Sequence, residues 1–167
     1  HEEKGIAIIT AWWMSSLFRP ELLRQLSAHP ILNVHASPGA GKTSLFSRVF
    51  WKVFAGVSEG DALSCTSSPF VFAKDLSSTN ALGLVFDEFK TGDISTTDMN
   101  RFRRILRRVY AGEVEGRGRA DQGVNSYFLS SPVAVLGESR LDNDQALVER
   151  CCFVQLDGVW IGNHPEN

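Results

Sequence analysis

The chain has 167 residues, 43% of them apolar, and a formal net charge of -2, which suits one soluble globular domain rather than two. No apolar run reaches the ~20 residues needed to cross a bilayer, and the amino end lacks the features of a signal peptide, so we expect a cytoplasmic protein with no membrane partner. The three cysteines have no C-x-x-C spacing, which argues against a metal or disulfide scaffold.

Residues 1–30 are predicted to form a helical extension that packs on a single core domain, residues 31–167. Residues 5–18 and 20–28 have the composition of two helices, and Pro20 suits the first position of the second helix. We expect Trp12 and Trp13 to pack the first helix on its neighbours. Because the first residue is His1 rather than Met, we also expect the domain to have been cut from a longer polypeptide.

A strand, a loop and a helix are predicted next. Residues 31–35 form a short run of β-forming residues, and Gly56 lies where a left-handed cap would end the helix that begins at Lys42. Apolar residues recur in this helix at steps of three and four, which predicts one buried face: Leu45, Phe46, Val49, Phe50, Val53 and Phe54.

Strands and helices then alternate to the end of the chain. The predicted strands are 61–66, 81–89, 131–139 and 151–160, and the predicted helices are 69–79 (or a turn), 98–112 and 143–150. Glycines around two arginines predict a β-hairpin with a basic tip over 113–129. This order predicts an α/β fold, a three-layer αβα core with a mostly parallel five-stranded sheet and a β-hairpin inserted before strand 131–139.

The loop between the first strand and its helix has the pattern of a phosphate site. Residues 36–43 are A-S-P-G-A-G-K-T, which match G-x-x-x-x-G-K-[ST] except that Ala36 replaces the first glycine. Unpaired N–H groups and the helix dipole favour an anion there. The alternative is a tight turn that uses its glycines for geometry only.

In the phosphate interpretation the ligands are ATP and Mg²⁺. Lys42 would reach the terminal phosphate oxygens and Thr43 would bind the metal. The predicted nucleotide-binding residues are Ser37, Pro38, Gly39, Ala40, Gly41, Lys42, Thr43 and Ser44.

Two acids end the clearest strand of the chain. Carboxyl ends of parallel strands share one crevice, so Asp87 and Glu88 are expected to lie beside the phosphate loop. Asp87 would hold magnesium through water, and Glu88 would activate the attacking water as general base. The alternative is a strand that merely ends in surface acids.

These motifs resemble the P-loop ATPases of the additional-strand, catalytic-glutamate division, and within them the AAA+ and superfamily 3 helicase-like proteins of plasmids and viruses. The resemblance covers about residues 31–157 and depends on "SPGAGKTS", "LGLVFDE", "SPVAVLGES" and "ALVER". It implies ATP hydrolysis coupled to translocation on DNA, unwinding or remodelling, in the replication of a mobile element. It also implies a homo-oligomeric, hexameric ring that acts on single- or double-stranded DNA, with a primase or polymerase module on the same chain.

The resemblance also implies further site residues. Glu138 and Ser139 occupy the place of the family's polar sensor, which is usually Asn. Arg150 looks like the catalytic arginine that reaches a neighbouring subunit's nucleotide, with Arg140 as a weaker candidate. The alternative for Arg150 is a surface arginine favoured by the helix dipole.

The predicted hairpin matches the element with which related helicases track DNA, which makes Arg117 and Arg119 the candidate DNA contacts. Alternatively, these arginines are solvated or pair with Glu113 and Glu115. Tyr127 or Phe128 could stack on a base, although a core position is the better prediction for Phe128. The arginine-rich helix over 101–108 is predicted to be a subunit interface rather than a solvated face.

Two other functions remain open on the sequence. The first is a regulatory or signalling NTPase switch that controls oligomerisation without nucleic acid. The second is a small-molecule kinase, which is disfavoured by the glutamate after Asp87 and by the absence of an arginine-rich lid.

Overall fold

The computed structural model describes residues 2–54, 56, 62–118 and 124–156. Its helices are α1 (Glu2–Ser16), α2 (Arg19–Leu26), α3 (Lys42–Ser44), α4 (Pro69–Leu76), α5 (Thr96–Ala111) and α6 (Gln145–Val148). Its strands are β1 (Ile31–Ala36), β2 (Leu63–Ser64), β3 (Leu84–Phe89), β4 (Val114–Gly118), β5 (Val124–Phe128), β6 (Val133–Gly137) and β7 (Cys151–Leu156). A π-helical segment, Leu45–Phe54, continues α3, and a 3-10 turn, Thr91–Asp93, follows β3.

Five strands form one sheet in the order β2-β3-β6-β1-β7, and every pair is parallel. Strands β4 and β5 form a separate antiparallel hairpin, with Val114 opposite Phe128. The predicted α/β class with a mostly parallel five-stranded sheet is confirmed. Because parallel strands share a direction, the residues that follow β1, β3 and β6 meet at one edge.

Alternating residues of the central strands point to opposite faces, and helices cover both faces. On one face Ile31, Val133 and Val135 pack with residues of α4, α5 and α6. On the other face Leu32 and Val34 pack with residues of α1 and of the π-helical segment. The site-bearing edge is therefore supported by apolar layers above and below the sheet.

The segment Leu45–Phe54 differs from the predicted α-helix. Phe46, Phe50 and Trp51 are buried, whereas Val49 is exposed and Val53 is 71% exposed. The wider turn of a π-helix places residues four and five apart on one face, so Trp51 takes the inward position that the α-helical period gave to Val49 and Val53. The predicted left-handed residue is present, with Gly56 at φ 64°.

Helices α1 and α2 are joined to the core by polar contacts as well as packing. The indole of Trp12 donates to the carbonyl of Pro30 at 2.7 Å, and Trp13 is buried beside Phe50. The buried guanidinium of Arg19 donates to the carbonyls of Val109, Leu129 and Ser130. The expected packing of both tryptophans is confirmed. None of the helices over the described residues has the length and apolar character that a membrane crossing requires.

His29 lies at this junction and is expected to make stability depend on pH. Burial, together with the charge of Arg19, lowers the pKa of His29 from 6.5 to about 4. Between these pH values the unfolded chain binds a proton at His29 that the folded chain does not. The contribution of His29 to the free energy of unfolding is therefore complete above pH 6.5 and is lost as the pH falls to 4. The loss amounts to about 3 kcal/mol.

We expect His29→Gln to flatten the pH dependence of the free energy of unfolding over this range, measured by urea titration at a series of pH values. An unchanged slope in the variant would contradict the lowered pKa.

Candidate nucleotide site

The loop between β1 and α3 has the backbone of an anion site. Gly39 and Gly41 have φ values of 77° and 80°, a left-handed region in which a glycine is not strained. Gly41 immediately precedes Lys42, the first residue of α3, and its carbonyl accepts from the N–H of Leu45 at 2.9 Å. The predicted loop residues Ser37, Pro38 and Ala40 lie in this connection, and Ser44 is the last residue of α3.

The ammonium of Lys42 is held inside the loop. Its Nζ donates to the carbonyls of Ala36 at 2.8 Å and Ser37 at 3.0 Å, and the residue is only 9% exposed. Burial lowers the pKa of Lys42, and the carboxylates of Asp87 and Glu138 partly oppose that shift. A phosphate would supply a closer anionic partner for this desolvated cation.

Asp87 connects strand β3 to helix α3. The hydroxyl of Thr43 donates to Oδ2 of Asp87 at 2.6 Å, and Oδ1 of Asp87 accepts from the N–H of Glu88 at 2.8 Å. Residues 44 positions apart in sequence therefore contact directly through their side chains. Thr43 and Asp87, the two predicted metal ligands, lie together.

Glu88 has an unusual backbone conformation for a residue with a side chain. Its φ is 58°, and the pairing of β3 with β6 shifts register between Phe86 and Phe89, which marks a β-bulge. Non-glycine residues in this region cost roughly 1–3 kcal/mol and cluster at functional sites. Glu88 is exposed at the site. The bulge interrupts the regular alternation of side chains between the two faces of the sheet at this residue.

The end of β6 is fixed against this bulge. The N–H groups of Glu138 and Ser139 donate to the carbonyl of Phe89 at 3.0 and 3.3 Å. The Oγ of Ser139 lies 3.2 Å from both the main-chain nitrogen and Oγ1 of Thr91. Both predicted sensor residues thus lie at the same edge of the sheet as the loop after β1, and Ser139 contacts the turn that follows β3.

Lys90 is a site residue that the sequence interpretation missed. Its Nζ lies 3.4 Å from Oε2 of Glu138 and 4.0 Å from Oδ2 of Asp93. The available signal was its position directly after the strand that ends in two acids.

Residues of the loop after β1 and of the ends of β3 and β6 line a cleft of about 690 Å³. Cys65 also lines it, and burial raises the pKa of that thiol to about 12, which keeps it protonated. The charged lining residues are Lys42, Lys90, Asp87, Glu88, Asp93 and Glu138. Within the described part of the chain, no group of three or more His, Cys, Asp and Glu side chains could hold a metal ion by itself.

The predicted catalytic Arg150 lies away from this cleft. It directly precedes β7, at the opposite edge of the sheet from the loop that follows β1. Its guanidinium lies 5.4 Å from the ring centre of Tyr110 and donates to the carbonyl of Ala146. Arg140 packs over Phe153 at 4.5 Å, 3.8 Å from Asp142. Neither arginine completes the site of its own chain.

The hairpin contacts α5, and one of its residues departs from prediction. Glu113 and Glu115 both pair with Arg108 of α5. Phe128 is 52% exposed, so its predicted core position is wrong: the antiparallel pairing places it opposite Val114, which is also exposed.

Of the two predicted DNA contacts, Arg117 and Arg119, only the first lies within the described residues. Arg117 lies in β4 opposite Asn125, and Arg119 falls outside the described residues.

The arginine-rich helix α5 makes ion pairs within the chain. Arg101 pairs with Asp98, and Arg107 pairs with Asp144. Part of the arginine-rich face is therefore neutralised within the chain.

No protein-family model matches the chain, and no curated protein matches it by sequence.

Gly137→Ala is expected to test the close approach that forms the cleft floor. A Cβ at Gly137 would lie 2.0 Å from the carbonyl oxygen of Phe89, a main-chain atom that cannot move without disturbing the bulge. We expect destabilisation of about 1–3 kcal/mol, measured by urea unfolding. Gly92→Ala is the control, because a Cβ there meets nothing within 4 Å. Equal stability of the two variants would contradict this geometry.

Proposed function

We propose that the protein is a Mg²⁺-dependent P-loop ATPase that works as an oligomeric ring and couples hydrolysis to movement on DNA or its remodelling. The observation that supports this most strongly is the 2.6 Å hydrogen bond between Thr43 and Asp87. It joins the first helix after a glycine-rich loop to the acid at the end of another parallel strand, beside a buried lysine.

The loop suits the phosphates of a nucleotide. Lys42 has three N–H donors, and its bonds to Ala36 and Ser37 use two of them. The third is the donor we assign to a phosphate oxygen. Main-chain N–H groups at the helix start would bind further oxygens, since Gly39 and Gly41 allow close approach.

The cleft also suits magnesium together with a nucleotide, rather than a nucleotide alone. Among the charged lining residues in the described part of the chain, two are lysines and four are carboxylates, so bare phosphates would be repelled. Magnesium prefers oxygen ligands and is usually held by one or two carboxylates with substrate phosphates. Thr43 and Asp87 would hold it, and when bound it would neutralise phosphate charge.

Glu88 is the residue that we assign to activation of the attacking water. It lines the cleft next to Asp87. Because of the bulge, its backbone conformation differs from that of the regular strand. A general base must lie within reach of the water beside the terminal phosphate. The strand order supports an additional-strand ATPase, because β6 lies between β1 and β3.

Coupling to DNA depends on the sequence resemblance and on the hairpin. Arg117 and Arg119 are the proposed contacts, and replication of a mobile element is the proposed setting. Assembly would be needed if Arg150 acts on a neighbouring nucleotide, because it lies far from the cleft of its own chain. A primase or polymerase module on the same polypeptide would fit this role.

A regulatory NTPase switch is the second candidate, and one observation favours it. Phe128 and Val114 pair across the hairpin and are 52% and 50% exposed. Such an apolar pair suits contact with protein at least as well as contact with a phosphate backbone.

ATP binding and hydrolysis test the central proposal. We expect Lys42→Ala to abolish binding of a fluorescent ATP analogue, because it removes the phosphate-binding ammonium. Glu88→Gln should retain ATP binding and lower the rate of ATP hydrolysis by a factor of roughly 10²–10⁴. Lys74→Ala, the same change on the exposed face of α4, is the control. Hydrolysis that survives in Glu88→Gln would remove Glu88 from this role, and ATP binding that survives in Lys42→Ala would sink the phosphate-loop assignment.

The dependence of hydrolysis on single-stranded DNA at low salt separates the two candidates. We expect DNA to stimulate the wild-type ATPase and to have no effect on Arg117→Ala/Arg119→Ala, because phosphate contacts are electrostatic. ATPase activity that is unchanged by DNA and by the Arg117→Ala/Arg119→Ala substitutions would favour the regulatory switch.

A further inference from the structure

Three charged side chains form a cluster at the cleft, directly after the bulge in β3. Lys90 lies between Glu138 at 3.4 Å and Asp93 at 4.0 Å, and each of the three side chains is partly exposed. All three line the same cleft as Lys42 and Glu88. The lysine is therefore placed near the proposed phosphate site by groups from two strand ends.

Glu138 is poorly suited to contact a phosphate itself. A carboxylate accepts hydrogen bonds and has no proton to donate, whereas a phosphate needs donors. The main-chain N–H groups of Glu138 and Ser139 already donate to Phe89, and the Ser139 hydroxyl lies against Thr91. The end of β6 thus brings a negative charge to the place where an amide donor would be expected.

Lys90 supplies the donor that the end of β6 lacks. Its ammonium has three N–H groups and carries the positive charge that a terminal phosphate attracts. The 3-10 turn Thr91–Asp93 fixes its main chain, since the N–H of Asp93 donates to the carbonyl of Lys90 at 3.1 Å. Glu138 and Asp93 then limit where the flexible side chain can place its charge.

We propose that Lys90 binds the terminal phosphate of a nucleoside triphosphate and that Glu138 is the positioning residue for its ammonium. This inference rests on the proposed function, because it assigns one more residue to the same site. It departs from the resemblance, in which the sensor is a side chain at the end of the strand after the acidic one.

The arrangement makes Lys90 sensitive to the state of the nucleotide. With a triphosphate bound, the ammonium contacts the terminal phosphate, and with a diphosphate it pairs only with Glu138 and Asp93. Lys90 therefore contributes to affinity for the triphosphate and not to affinity for the diphosphate.

Calorimetric titration of the whole chain with Mg-AMP-PNP and with Mg-ADP tests this assignment. We expect Lys90→Ala to weaken AMP-PNP binding by roughly tenfold or more and to leave ADP binding unchanged, since one charge-assisted donor to the phosphate is removed. Lys90→Arg should restore most of the difference. Lys74→Ala should behave as wild type, and thermal unfolding should be nearly the same for all, because half-exposed ion pairs contribute little to stability.

A double-mutant cycle tests the positioning role of Glu138. We expect Glu138→Gln to weaken AMP-PNP binding in the wild-type background and to have no further effect when Lys90 is already alanine. Additive effects in the cycle would overturn the positioning role.

The outcomes separate this inference from the proposed function. If Lys42→Ala abolishes binding of both nucleotides while Lys90→Ala affects both equally or neither, the inference is overturned and the ATPase proposal stands. If the wild type binds neither nucleotide, both are overturned.

Discussion

The hydrogen bond from Thr43 to Asp87 depends on one constraint, the common direction of β1, β3 and β6. Parallel strands deliver their carboxyl ends to the same edge of a sheet, so a loop after β1 and acids at the end of β3 meet despite their separation in sequence. Strand β6 lies between the two strands and fixes their spacing. The buried layers on both faces of the sheet hold that spacing.

The bulge in β3 converts this edge from a regular sheet end into a site. The left-handed turn at Glu88 is stabilised on one side by the carboxylate of Asp87 and on the other by the contact of Phe89 with the end of β6. Gly137 permits that contact because it has no side chain to meet the carbonyl of Phe89. Backbone strain at Glu88 is therefore offset by hydrogen bonds and packing from neighbouring strands.

The charges of the cleft are compatible with the proposed ligand, a nucleotide bound together with a divalent cation. Among the described lining residues, carboxylates outnumber lysines, and the most buried charged residue is Lys42. Desolvation of that ammonium disfavours its charged form, and nearby carboxylates and a bound phosphate act in the opposite direction. Phosphate binding, as proposed, would thus offset part of the cost of burying the Lys42 ammonium.

The sequence by itself determined the order of elements, the parallel α/β class and the central motif residues. These depend on local signals: apolar periodicity, glycines that permit left-handed turns, and two acids at a strand end. The tertiary structure alone decided the π-helical register that buries Trp51, the exposure of Phe128 and the pairing of Glu113 and Glu115 with Arg108. It also decided that Lys90 and Glu138 meet, because their contact depends on the bulge and on the register between two strands, and no local pattern specifies either.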